Sequence, residues 1–149
     1  ITNRLVGSEM CIRDREISAP INLHWGYDNR TTGLRIPDAD PENYRIENRF
    51  PGADVNPYLS IAATLACGFL GMKNKVKPTR AYEGNAYEQD FDVPRNLEEA
   101  LRGLQENSEI TQIFGDKFIQ LYTSIKLVEF EQFNQVISSW EREHLLLNV

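Results

Sequence analysis

Residues 44–59 read YRIENRFPGADVNPYL, a charged alternating segment that runs through a Pro-Gly turn into the start of an apolar helix. Arg45, Glu47 and Arg49 alternate with Ile46, Asn48 and Phe50. On a strand, side chains two apart share a face, so one face reads cation, anion, cation. Charged side chains are seldom buried unless paired, and two arginines around one glutamate leave a positive charge over. Two readings follow from this strand. One is a solvated edge with a surface ion-pair row. The other is a pocket wall, with arginines for phosphate or carboxylate and Glu47 for a hard metal ion.

Working outward, residues 28–37 read DNRTTGLRIP. Arg30 and Arg35 flank a turn-like Thr-Thr-Gly step. Residues 34–36 read as a short strand, 37–43 as its proline-bearing loop and 44–50 as its antiparallel return. That hairpin brings Arg35 beside the Arg45, Glu47 and Arg49 face. Four arginines and one glutamate within about twenty residues suit a polyanion held together with a divalent metal: guanidinium forks match phosphate and carboxylate, and a carboxylate suits Mg or Mn.

In the other direction, Asn56 fits a helix N-cap and Pro57 the first helical position. Residues 58–72 are apolar nearly all round, which predicts a buried helix that holds the preceding strand rigid. Residues 73–94 are polar and turn-rich and predict a surface excursion, whose Tyr82 and Tyr87 are available to a partner subunit. A second helix is predicted from Asn96, with Glu99 completing a capping box and Leu97, Ala100, Leu101 and Leu104 at helical spacing. A long amphipathic helix follows Asp116. Its apolar side is Phe118, Leu121, Tyr122, Ile125, Val128, Phe133, Val136 and Ile137, and its polar side carries Lys126, Glu129, Glu131 and Gln132. The closing leucines, 145–147, predict docking on a neighbouring surface. His24 reads as structural. The fold class expected is α+β, a short antiparallel hairpin packed by several helices.

The spacing Asn29-Arg30-x5-Ile36-Pro37, followed by R-I-E-x-R-x-P-x-A-D-x-N-P-Y over 45–58, resembles the C-terminal part of the glutamine synthetase catalytic domain. Residues 22–28 (NLHWGYD) and 140–144 (WEREH) are most similar to the branch that includes γ-glutamylpolyamine synthetases. The resemblance covers residues 19–149. It implies an ATP-dependent ligase that activates the γ-carboxylate of glutamate as γ-glutamyl phosphate, with ammonia as acceptor, or else a polyamine such as putrescine. A non-catalytic relative that keeps the fold is the third reading, and the intact charged set counts against it. Carried over by motif, Glu47 would ligate Mg or Mn, Arg30 would meet the transferring phosphoryl group, Arg35 and Arg45 the ATP phosphates, and Arg49 the glutamate or its acyl phosphate. Removing Arg49 is then expected to cost activity more than folding. The family builds its active sites between subunits of homo-oligomeric rings, so the fragment alone is expected to be inactive. Where the family's ammonia-using members carry a glutamate before Ala-Pro, this chain has Ser18, which hints at a larger amine.

Composition limits the alternatives. The 149 residues are 41% hydrophobic with a net charge of −6, a pI near 5.0 and a mean hydropathy of −0.46. That balance argues against nucleic acid or an anionic membrane as bulk partner. No apolar run reaches the length of a membrane span and no signal peptide is evident, so a cytoplasmic location is expected. Cys11 and Cys67 have neither metal spacing nor a disulfide framework. Residues 5–15, LVGSEMCIRDR, resemble the translation of a transposase sequencing adapter. Residues 1–18 are therefore read as artefactual or disordered, with the domain proper beginning at Ala19.

Overall fold

The computed structural model describes residues 19–52 and 55–146. The adapter-like segment, Ser18, Asp54 and the last leucine, Leu147, lie outside the described residues. The described residues divide into two compact units, one ending at Asn96 and the other beginning at Leu97.

The first unit is organised by a three-stranded sheet in the order β1 (Trp25–Tyr27), β2 (Leu34–Ile36), β3 (Glu47–Asn48). β2 and β3 form the expected antiparallel pair, with Leu34 opposite Asn48 and Arg35 opposite Glu47. The expected return strand over 44–50 is shorter, two residues long. It begins only after a single turn of 3-10 helix at Pro41–Asn43, although a bond from the Arg49 N–H to the Gly33 carbonyl (2.9 Å) extends the ladder. β1 is an addition to the hairpin. It runs parallel to β2, with Gly26 beside Arg35.

After the sheet, α1 spans Pro57–Lys73 and starts as its sequence dictates. The Asn56 side chain accepts from the Tyr58 and Leu59 N–H groups, with Pro57 in the first turn. Its expected burial is only partly met. Ala66 and Leu70 are buried, while Tyr58, Ile61, Leu65, Phe69 and Met72 are all more than half exposed. An apolar helix needs apolar surface on every side to bury fully, and the described residues cover only one of its sides.

Residues 79–92 are not the free surface excursion that their composition suggests. They form a strap bonded to β1 and to the loop beyond it. The Tyr82 N–H donates to the Trp25 carbonyl (2.8 Å) and the Asp92 N–H to the Ile21 carbonyl (3.0 Å). Asn22, fully buried, donates through Nδ2 to the Ala86 carbonyl at 2.7 Å. The Trp25 indole N–H donates to the Thr79 carbonyl at 3.0 Å. Tyr82 stacks on His24, ring centroids 4.7 Å apart, so this tyrosine is occupied within its own chain and His24 is structural. Gly26 permits the close approach: a Cβ there would lie 2.6 Å from the Tyr82 carbonyl oxygen.

The second unit is helical: α2 (Leu97–Glu106), α3 (Ser108–Phe114), α4 (Asp116–Asn134) and α5 (Ser139–His144). α2 and α3 both pack on α4. Gly115 joins α3 to α4 at φ +84°, a left-handed conformation that favours glycine. The face that α4 buries differs from the expected one. Ile119, Thr123 and Lys126 are buried, whereas Leu121, Ile125 and Val128 are about half exposed. Lys126, expected on the polar side, is 1% exposed. Its ammonium pairs with Glu129 one turn on and lies 5.9 Å from the Tyr122 ring, so the buried charge is matched. Val136 and Ile137 fall beyond the helix and stay exposed, as do Leu145 and Leu146.

Candidate functional site

The cross-strand register sets the centre of the site. Arg35 and Glu47 face one another on β2 and β3, and opposite charges so placed attract. Arg35 Nη1 donates to Glu47 Oε2 at 2.8 Å. The other oxygen, Oε1, accepts from Arg45 Nη2 at 3.2 Å. Arg45, two residues before Glu47, therefore completes a cation–anion–cation row, but its other cation is Arg35 and not the Arg49 read from the sequence. The second terminal nitrogen of Arg35 is held by Asp28, a partner the sequence reading missed. Asp28 closes β1: its N–H donates to the Ile36 carbonyl at 2.8 Å, and its φ of +45° is one that Asp tolerates better than most residues.

These contacts favour the charged forms of Arg35 and Glu47. The hydrogen bond from Arg35 holds the Glu47 carboxyl below the usual carboxylate range, with further help from the nearby positive charge of Arg35 and Arg45, against a desolvation effect of opposite sign. The paired carboxylates of Asp28 and Glu47 raise Arg35 further above its ordinary value. Glu47 is thus an anion at neutral pH, with the donor chemistry of a Mg or Mn ligand. Among the described residues no group of three or more His, Cys, Asp or Glu side chains is arranged to hold a metal ion.

Arg49 does not join that row. Its Nη1 donates to the Thr32 carbonyl at 2.9 Å and also to the Arg30 carbonyl. The arginine therefore ties down the 28–33 loop through its backbone carbonyls. Arg30 sits on that loop with an exposed side chain, and among the described residues it forms no ion pair.

Asn29 shapes the loop itself. Its Nδ2 donates to the Tyr82 and Gly84 carbonyls at 3.1 and 2.9 Å. Its Oδ1 accepts from the Thr31 N–H and hydroxyl at 2.9 and 2.7 Å. Thr31 Oγ1 in turn accepts from the Ala86 N–H at 2.9 Å. The strap and the arginine loop are thus one hydrogen-bonded body. Asn29 was visible in the sequence only as the neighbour of Arg30. The acceptors of its Nδ2 lie more than fifty residues away, and an Asn before Arg-Thr-Thr reads equally well as a local turn former.

The family model for the glutamine synthetase catalytic domain matches residues 4–145. The chain belongs to the glutamine synthetase family. Its α+β architecture, a three-stranded sheet with helices, is that of a fragment of the family's catalytic domain. The matched span overlaps the adapter-like residues 5–15. Among individual relatives, a glutamate–isopropylamine ligase of a Pseudomonas species is 40% identical over 80% of this chain and 27% of its own length. The γ-glutamylputrescine synthetase of Escherichia coli is 38% identical over 87% of the chain and 28% of its own length. The glutamine synthetase of Clostridium saccharobutylicum is 33% identical over 98% of the chain and 35% of its own length. The chain spans between a quarter and about a third of these relatives. Among the described residues no helix is long and apolar enough to cross a membrane.

Proposed function

We propose that this chain supplies the arginine and carboxylate side of an ATP-dependent ligase site that joins the γ-carboxylate of glutamate to an amine. The observation that carries the reading is the Asp28–Arg35–Glu47–Arg45 row on paired strands, in a chain of this family. Phosphoryl transfer calls for fixed positive groups around the phosphate charge. A guanidinium fork clamped between carboxylates is such a group.

In this reading a γ-carboxylate oxygen of glutamate attacks the terminal phosphorus of ATP, and ADP leaves. The amine nitrogen then attacks the acyl carbon, the carbon–oxygen bond to phosphate breaks, and the nitrogen gives up a proton. Arg35 and Arg45 hold nucleotide phosphates. Arg30, exposed on its loop, meets the transferring group. Arg49 sets that loop and meets the glutamate or its acyl phosphate. A bound Mg or Mn ion would offset negative charge on the phosphates. Glu47 would be this chain's ligand for it, since one of its two arginine partners, Arg45, is the more distant and the more exposed. The remaining ligands, and completion of the site by a neighbouring subunit in a ring, belong to the same proposal.

Two relatives at or near 40% identity are named for an amine acceptor, isopropylamine or putrescine, which favours an amine over ammonia. Ammonia is the second reading, supported by the glutamine synthetase match over nearly the whole chain. The test is a chimera in which residues 19–149 replace the corresponding segment of the E. coli γ-glutamylputrescine synthetase. ATP- and glutamate-dependent phosphate release is measured with putrescine, isopropylamine or ammonium. Release with an organic amine supports the proposal. Release with ammonium alone moves the second reading to first, and no release with any acceptor overturns both.

A further inference from the structure

We propose that Asp28 is a positioning residue for the nucleotide site, acting through Arg35. This rests on the ligase reading above, in which Arg35 meets ATP phosphate.

The parallel register puts Gly26 beside Arg35, so the chain leaves β1 two residues later, next to the arginine. There Asp28 turns at φ +45° and is held by the 2.8 Å bond from its N–H to the Ile36 carbonyl. The turn brings its carboxylate onto Arg35 Nη2, while Glu47 holds Nη1 from the opposite strand. The two grips come from different elements and engage different nitrogens. Each terminal nitrogen keeps a second N–H, and the fork can present those two to a phosphate without first choosing a rotamer. Long cationic side chains otherwise lose much rotamer freedom on binding.

The exposures point the same way. The Arg35 side chain is 14% exposed and that of Asp28 is 59% exposed. An ion pair with one partner so open to water adds little to folding, so its main effect falls on where the arginine points. Glu47 cannot do this alone, because it is shared with Arg45. Take Asp28 away and Arg35 is left with half of one carboxylate.

The discriminating variant is Asp28→Asn. Asn accepts a left-handed backbone about as well as Asp, so the turn survives and only the charge is lost. In the chimera, the expected result is a rise of about tenfold in KM for ATP, and a matching rise in the dissociation constant for ADP by calorimetry. KM for glutamate and the melting temperature should hold near the parent's values, and Asp28→Glu should recover part of the loss. Two results would overturn the inference while leaving the ligase reading intact: an active parent whose KM for ATP is unmoved by Asp28→Asn, or a fall in melting temperature with equal loss in every kinetic constant. A parent chimera that releases no phosphate removes both together.

Discussion

The two units of this chain are built on opposite plans. The helical unit, 97–146, is assembled from neighbours in sequence: α2, α3 and α4 follow one another and pack on one another, with Leu101 and Ile119 at the centre. The sheet unit, 19–96, is assembled from residues far apart. Asn22 reaches Ala86 and Asn29 reaches Tyr82 and Gly84 by single side-chain hydrogen bonds, and Asn22 and Thr32 are both fully buried. One unit is held by contacts between helices that follow one another in sequence. The other adds polar side chains that satisfy distant backbone groups. A buried polar group is costly unless bonded, so the second plan fixes geometry more tightly than the first. Geometry is what a phosphate site needs.

The sharpest way to break the comparison is at Arg49, which belongs to both the loop and the proposed chemistry. Arg49→Ala in the chimera should lower phosphate release by about a hundredfold, the order found when a fixed transition-state donor is removed. It should also speed amide hydrogen exchange at residues 30–33, since the Thr32 and Arg30 carbonyls lose their donor. Loss of activity with unchanged exchange would mean that the loop stands without it. In the helical unit the corresponding blow is Leu101→Ala. Emptying this 4%-exposed site should cost about 3 kcal/mol, read as faster exchange along α2 and α4 together. An effect confined to α2 would show that the helices are less cooperative than their packing implies.

A smaller effect is expected at Asn29. Asn29→Ala removes two donated and two accepted hydrogen bonds, partly open to solvent, and should cost about 2 kcal/mol. Its signature is protection lost at Thr31 and Ala86 together, because the Thr31 hydroxyl bridges them. The smallest effect belongs to the cap of α5. The Ser138 N–H donates to the Glu141 carboxylate at 2.7 Å, and the Ser138 hydroxyl accepts from the Glu141 N–H at 3.1 Å. The bond from the Ser138 backbone, with help from its hydroxyl, holds the Glu141 carboxyl below its usual range. A depressed carboxyl stabilises above its unfolded pKa and loses that contribution as pH falls through the folded value. The Ser138 amide proton should therefore shift only on the acid side of the ordinary glutamate range, and Glu141→Gln should abolish that shift.

Legibility followed the same division, with exceptions that instruct. The hairpin and the placing of Arg35 beside Glu47 could be read because a period of two leaves few alternatives. The start of α1 could be read because Asn-Pro is a strong cap signal. The parallel pairing of β1 could not, since three residues of Trp-Gly-Tyr carry no period. Nor could Asp28 or Asn29, whose types suit any turn and whose partners are set by the register or by the strap. Even the helical unit misled at Lys126. Periodicity marks which residues share a face of α4 but not which face its neighbours take, and the buried stripe at 119, 123 and 126 is offset from the most apolar one. The site residues were legible as a charged set. Their division into a clamped row and a loop tether was not, because it depends on which carbonyls Arg49 can reach.

Trp25 and Trp140 are the chain's two tryptophans, and each lies in a different unit. Trp25 is half-buried, its indole N–H bonded to the Thr79 carbonyl and its ring edge-on to Tyr27. Trp140 is 58% exposed on α5 and stacked on His144. The molecule therefore carries two intrinsic fluorophores of different colour: a bluer one that reports on the strap closing over β1, and a redder one that reports on the final helix. With Trp140→Phe, emission becomes a single-channel readout of β1 and the strap bonded to it at Thr79.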